Sequence, residues 1–493
     1  MRNMLARRSD AAFYLVGGYF LLCVIVRLLR PDALEIDEST QAFLSQYFLV
    51  GYGSQPPFYG WLQHGLAELF GISVATLSIL KNSLLFLCCL FYGLAARQVA
   101  SNRATPAIAM LGVLTLPPVF FLAQKDLSHT VAALFAVSLF LFGFLRTLKA
   151  PSFASYLITG IAVGIGVISK YNFVVVPVAA VLAILPEADL RKRIFDWRIL
   201  LAVLAAAIIA APHAYWLLHN LGNASNNTLA EMKEGGPSRH IPTFLLGALS
   251  LTSATIQAVA PTAAVFALIF YRDIKTIVRA QSEWTRILGR MLIACLVLVL
   301  LVVIGVGATH IREKWLSLLV VLLPLYLAMK VDASGSAVEL KLPRFAAVVA
   351  ALVLIALAVL SGRAIVGPML GYYSRVNTPY HAFADAILAK HGEPARILTT
   401  DGNTAGNLRT QFPNVLVEAP GGLATSELSQ PLLVVWRVGG EYGEALPDRV
   451  AAFLKKRDIA LDGITPQYLA IPYNPDDAEK HVRFAYFWIA ANQ

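Results

Sequence analysis

Long apolar runs, broken at short intervals by single charged or proline-containing segments, dominate the first three quarters of the chain. Runs at 11–29, 79–97, 105–122, 129–146, 153–169, 172–186, 198–217, 243–270, 289–308, 315–330 and 344–366 each read as a membrane-spanning helix, because crossing the hydrocarbon takes about 20 apolar residues. The pattern thus predicts about eleven transmembrane helices, with 172–186 and 315–330 short enough to need tilt or snorkelling flanks. After about residue 370 the pattern changes. Short apolar stretches at 397–400, 415–418 and 432–436 alternate with helical patterns at 380–390 and 447–456, which predicts a small α/β domain. The expected division is a transmembrane domain over 1–369, with a first external loop at about 31–78, and an external α/β domain over 370–493. In that domain Asp401-Gly402-Asn403 reads as a turn, and Gly439-Gly440 fits no nucleotide-binding fingerprint.

Composition agrees with the membrane reading: 57% of residues are hydrophobic and 14% charged, outside the usual soluble range of roughly 45–50% and about 25%. The run from Ala11 to Leu29 is too long for a signal-peptide core and ends in Arg27, Arg30 and Pro31 without a small-residue cleavage site, so it reads as a first span. With the amino terminus placed in the cytoplasm, most Lys and Arg fall in cytoplasmic loops, as the positive-inside rule requires. The net charge of +10 then reflects topology and contact with anionic membrane lipids, with no need for nucleic acid. Cys23, Cys88, Cys89 and Cys295 all lie inside apolar runs and have neither disulfide nor metal spacing. Asn223-Ala224-Ser225 and Asn226-Asn227-Thr228 fit a glycosylation pattern that arises readily by chance.

The candidate chemistry sits in the external loops. Asp37 and Glu38 follow the first span, and Gln55-Pro56-Pro57-Phe58 comes later in the same loop. Gln124-Lys125-Asp126, Ser169-Lys170-Tyr171-Asn172 and His310-Ile311-Arg312-Glu313-Lys314-Trp315 occupy three very short loops, and Lys81 opens a span. Singly, each has a bland reading: Lys81 and Lys170 snorkel to headgroups, and Asp37 caps an amphipathic helix. Together they concentrate carboxylates and cations at one membrane face. The loop at 218–242, with Glu231, Lys233, Glu234, Gly235-Gly236 and Arg239, is either a flap over that face or a solvated connector.

The order Asp37-Glu38, Gln55-Pro56-Pro57, Lys125-Asp126 and Lys170-Tyr171 resembles the GT-C glycosyltransferases, and within them the superfamily of the protein O-mannosyltransferases and the lipid A aminoarabinose transferase. The resemblance covers roughly 10–330, and the tail with Asn377-Thr378-Pro379-Tyr380 resembles bacterial members that modify lipopolysaccharide, galacturonosyltransferases included. It implies a GT-C fold in the bacterial inner membrane and a polyprenyl-phosphate sugar donor. The acceptor it implies is lipid A, lipopolysaccharide or another envelope glycan on the periplasmic side. Asp37 takes the position of the family carboxylate and Asp126 that of the second-loop acid. Many relatives carry Lys or His where this chain has Gln55, so Lys81, Lys125, Lys170 with Tyr171, or Arg312 with Lys314, would do more of the donor binding.

Those residue types suit the reaction. A sugar phosphate leaves as a stabilised anion and needs cations more than a general acid, whereas the acceptor hydroxyl needs a base. One carboxylate, Asp37 or its neighbour Glu38, meets that need and implies inversion, since retention takes a second carboxylate as nucleophile. No cofactor and no metal are expected. A transporter would place its ionisable groups near the midplane with repeat symmetry, and an O-antigen-type ligase would carry a large late external loop. Here the charges lie at the external ends, no repeat is visible and the 218–242 loop is of modest length, so these two readings stay as alternatives behind a protein O-mannosyltransferase-like transfer.

Overall fold

The structure, a computed structural model, describes residues 11–222, 230–233, 241–421, 428–439, 442–459, 465–474 and 477–490. The two glycosylation patterns, Gly440 and most of the 218–242 loop lie outside them. The chain divides into two compact units: one of Met1–Cys23, Leu49–Tyr59 and Lys81–Leu357, the other of Val24–Phe48, Gly60–Leu80 and Ala358–Gln493.

Among the described residues, eight helices are long and apolar enough to cross a membrane, or nine when the bent pair Thr105–Val113 and Pro118–Lys125 is one span. That is fewer than the eleven runs of the sequence. The two that fall short are Phe153–Val167 and Tyr171–Ile184. The 315–330 run, by contrast, extends to the 21 residues Glu313–Ala333. The bent pair turns by 56° where Pro117-Pro118 withdraws backbone donors, and the next turn is a π-helix, Pro118–Leu122. The short Phe153–Val167 helix approaches its neighbours closely through small residues. A Cβ on Gly164 would come within 2.8 Å of Ile209, and one on Gly160 would overlap the Ala202 backbone.

In the second unit a five-stranded sheet has the order β2-β1-β3-β5-β4, with β1 Arg396–Thr399, β2 Leu416–Glu418, β3 Leu432–Val438, β4 Gln467–Asn474 and β5 Asp477–Ile489. β1 pairs in parallel with β2 and β3, whereas β5 runs antiparallel to β3 and β4. The first three strands match the apolar stretches in the sequence. The β4–β5 pair is an addition to that reading, as is the helix Gly402–Gln411. Asp401-Gly402-Asn403 begins this helix and is not a turn: the Asp401 side chain accepts from the Thr404 amide at 2.9 Å as an N-cap.

This helix packs on the short helix Ile36–Leu44 in the same unit. Gly406 lies so close to the Ser39 backbone that any Cβ would overlap it. Asn403 donates to Ser39 Oγ at 2.7 Å, Asn407 Oδ1 accepts from the Leu34 amide at 2.7 Å, and Gln411 donates to Asp32 at 2.9 Å. Gln46 completes the contact by exchanging two hydrogen bonds with the Val417 backbone of β2, at 2.8 and 3.1 Å. Ala33 and Phe43 belong to the same apolar core as Phe383, Ile397 and Phe484.

Candidate active site

Asp37 and Glu38 lie in the first turn of Ile36–Leu44, where the amino-terminal helix dipole favours negative charge. The N-cap position is Glu35, so the reading of Asp37 as a cap does not hold. Consecutive helical residues point about 100° apart, and the two carboxylates meet different surroundings. Glu38 is 5% exposed and forms an ion pair with Arg27 at 3.3 Å. Arg27 also donates to the carbonyls of Pro31 at 2.9 Å and Ala33 at 3.1 Å, which ties the end of the first span to the turn before the helix. Glu38 therefore fixes the chain path at this point, and Asp37 is the half-buried carboxylate of the pair.

The other sequence-derived residues lie in the first unit. Lys125 ends the π-turned helix, and Asp126 stops it, its amide bonding to the Leu122 carbonyl at 2.9 Å. Gln124, beside Lys125, donates to Asn82, beside Lys81, at 2.9 Å. Lys81 is 3% exposed and so does not snorkel. Lys170 does not snorkel freely either, since its ammonium donates to Thr130 Oγ1 at 2.7 Å.

Residues 170–172 reach three elements. Beyond the Lys170–Thr130 bond, Tyr171 meets His213 at 3.2 Å and Asn172 donates to the Trp315 carbonyl at 2.9 Å. Arg312 lies over the Trp315 ring at 5.9 Å and pairs with Glu231 at 3.5 Å. Lys314 sits in the same half-buried turn, where its carbonyl accepts from Ser317 at 2.6 Å. The segment 170–172 is thus bound both to the helix His129–Lys149 and to the Glu313–Leu316 turn that follows Arg312.

Gln55 closes a tight turn by bridging to Tyr52. The Phe58 amide donates to the Ile168 carbonyl at 2.9 Å, and the buried Tyr59 ring lies 5.8 Å from His129.

Sequence reading did not single out His213. It is a lone histidine in an apolar run after Pro212, more than 150 positions from the loop it holds. Its Nδ1 lies 2.7 Å from the Val50 carbonyl, which can only accept. Nδ1 therefore carries the proton and Nε2 accepts from the Tyr171 hydroxyl. The imidazole stacks between Tyr171 and Trp216, at 5.8 and 5.7 Å. Gly51 lies against the Trp216 indole so closely that a Cβ would overlap it. His213→Phe is expected to keep the stack but release both Val50 and Tyr171, lowering turnover more than stability. Comparing transfer rate with Tm in the purified variant checks this, with Tyr171→Phe as the partner substitution; equal losses in both quantities would reduce His213 to packing.

Residues 54–216 match a family model described as dolichyl-phosphate-mannose-protein mannosyltransferase. Over nearly the full chain, the lipopolysaccharide core galacturonosyltransferase RgtB of Rhizobium johnstonii is 41% identical, covering 97% of each protein. RgtA of the same organism, also a lipopolysaccharide core galacturonosyltransferase, is 41% identical over 99% of each. In structure the chain resembles ArnT from Cupriavidus metallidurans, solved bound to undecaprenyl phosphate, with a TM-score of 0.63, 15% identity and coverage of 97% of this chain and 99% of that one. The fold is therefore the ArnT-like GT-C fold, and the transporter reading gives way to a glycosyltransferase. The chain is a multi-pass membrane glycosyltransferase and belongs to the GT-C family that includes the lipopolysaccharide core galacturonosyltransferases RgtA and RgtB.

Proposed function

We propose that the chain transfers galacturonic acid from a polyprenyl-phosphate donor to a sugar hydroxyl of the lipopolysaccharide core, at the periplasmic face of the bacterial inner membrane. Supporting the choice of sugar and acceptor is the 41% identity, over nearly the full length, to two enzymes named for that transfer. The observation that carries the mechanism is the division of labour on the helix Ile36–Leu44, where Arg27 holds Glu38 and the half-buried Asp37 is the carboxylate suited to act as base.

In this mechanism the acceptor oxygen attacks the anomeric carbon, its proton passes to Asp37, and the bond to the phosphate oxygen breaks with its electron pair on the leaving polyprenyl phosphate. The configuration inverts. Lys125 and Lys170, with Lys81 and the Arg312–Lys314 turn, supply the positive charge that the leaving phosphate needs, a contribution that strengthens as the phosphate bond breaks. Asp126 orients acceptor or donor. Gln55, uncharged, contributes hydrogen bonds only.

Purified protein reconstituted with polyprenyl-phosphate galacturonate and core lipopolysaccharide is expected to add one uronic acid per acceptor, read by mass spectrometry, with inverted configuration at the new linkage. Transfer of a neutral hexose in its place, with no reaction of the uronate donor, would reject the sugar assignment. Acceptance of a peptide hydroxyl instead of lipopolysaccharide would favour a protein mannosyltransferase-like activity. A monophosphate donor carries little enough charge for Lys and Arg alone, so the rate is expected to persist in excess EDTA. Loss of activity there, restored by Mg²⁺ or Mn²⁺, would make Asp37 or Asp126 a metal ligand.

A further inference from the structure

The helix Tyr171–Ile184 begins with a residue of the candidate site, and a separate basic cavity lies past its other end. Arg286 and Arg290, one turn apart in the first two turns of Glu283–Val306, share a single carboxylate oxygen of Glu187, at 3.2 and 2.9 Å. Arg290 also donates to the Ala183 carbonyl at 3.4 Å. These bonds hold the Glu187 carboxyl below its usual pKa, Arg286 contributing most, so it stays ionised. One carboxylate balances only one of the two guanidiniums. Their side chains remain 44% and 37% exposed, which leaves further N–H donors for another acceptor.

Both arginines line a cavity of about 250 Å³ with Tyr326 and Lys330, and among the described residues none that lines it is acidic. The Lys330 ammonium donates to the carbonyls of Val278 and Ala280, so a third positive charge is fixed beside the arginines. Gly289 lets the Tyr326 ring lie against the helix, a Cβ there meeting the ring at 3.3 Å. The cavity also reaches Ile293, one turn further along and 64% exposed, on a helix long and apolar enough to cross a membrane. A surplus of fixed cations at the end of a membrane helix, continued by an exposed apolar face, matches a phosphodiester with an acyl chain attached.

We propose that this cavity binds an anionic glycerophospholipid, its phosphate on Arg286 and Arg290 and an acyl chain along Ile293. The site is separate from the transferase chemistry and does not depend on the sugar or acceptor assigned above.

The test uses the full chain, purified and delipidated, then returned to nanodiscs or detergent with phosphatidylglycerol, with phosphatidylcholine, or with inorganic phosphate alone. Phosphatidylglycerol is expected to be retained through washing, by mass spectrometry, and to raise Tm, whereas the zwitterionic lipid and free phosphate do neither. Arg286→Gln with Arg290→Gln is expected to weaken that retention about tenfold or more, since charge-assisted bonds to phosphate are lost. If the double variant fails to insert, Arg286→Gln alone gives the same reading in smaller measure. Equal retention of the two lipids by the unaltered protein would overturn the proposal, as would undiminished retention in the glutamine variants. A Tm rise with inorganic phosphate equal to that with phosphatidylglycerol would overturn the lipid and leave a bare anion site.

Discussion

Asp37→Asn is expected to leave the protein folded and inserted while lowering transfer by about 10²–10⁴, the usual contribution of a positioned base. The amide keeps the size of the carboxylate but cannot take the acceptor proton. Because asparagine keeps the size and hydrogen-bonding reach of the side chain and the Arg27–Glu38 pair stays in place, Tm should move little. The measurement is single-turnover transfer beside thermal unfolding of the same preparation. Near-normal turnover in Asp37→Asn would end its role as base, and activity surviving in Asp37→Asn/Glu38→Gln would end the carboxylate-base mechanism as a whole.

Glu38→Ala should fail in the opposite way, through stability. It leaves the Arg27 guanidinium, whose side chain is 7% exposed, with its two carbonyl partners but without its counter-charge, and breaking one partner out of a buried pair costs about 3–5 kcal/mol. The expected result is a large fall in Tm or in yield of inserted protein. Arg27→Met/Glu38→Leu, which removes both charges and keeps volume, should recover much of the stability, since a buried pair is often replaceable by apolar packing. A Glu38→Ala protein as stable as the unaltered chain but inactive would instead return Glu38 to the chemistry.

The membrane helices were legible because apolar runs are long and bounded by charge, and nearly every run in the sequence finds its helix. What the runs do not convey is length after folding. Phe153–Val167 loses its last residues to the turn that carries Ser169 and Lys170, whereas Glu313–Ala333 gains a 3₁₀ turn through Glu313–Leu316. β5 escaped because alternation is the usual sign of a half-buried strand. Phe484, Ala485, Tyr486 and Phe487, inside the sheet between β3 and β4, are all buried, which removes the alternation. The helix Gly402–Gln411 escaped for a different reason: Thr404, Gly406 and Asn407 are among its buried residues, so close approach and hydrogen bonds replace an apolar stripe.

At the candidate site, position along the chain and the family resemblance singled out Asp37, Glu38, Asp126 and the loop lysines as candidates. They did not separate Asp37 from Glu38, because the partner that does so, Arg27, lies eleven residues earlier in a span and reads there as a boundary cation. Nor did they find His213, whose importance comes from a carbonyl at Val50 and a phenol at Tyr171, groups that leave no mark at position 213.

The fit of Gly406 against Ser39 bears on how such enzymes can be recombined. A chimaera joined near residue 370 would exchange the sheet domain but keep the old helix Ile36–Leu44, pairing a new Gly402–Gln411 surface with a backbone it was not shaped to receive. Since that short helix carries Asp37, the proposed base, a mismatch there would appear as lost catalysis and be mistaken for a change of acceptor preference. A faithful exchange has to move residues 31–48 together with the carboxyl-terminal part, so the heritable module is discontinuous in sequence, and substitutions at 39 and 46 are constrained by residues some 370 positions away.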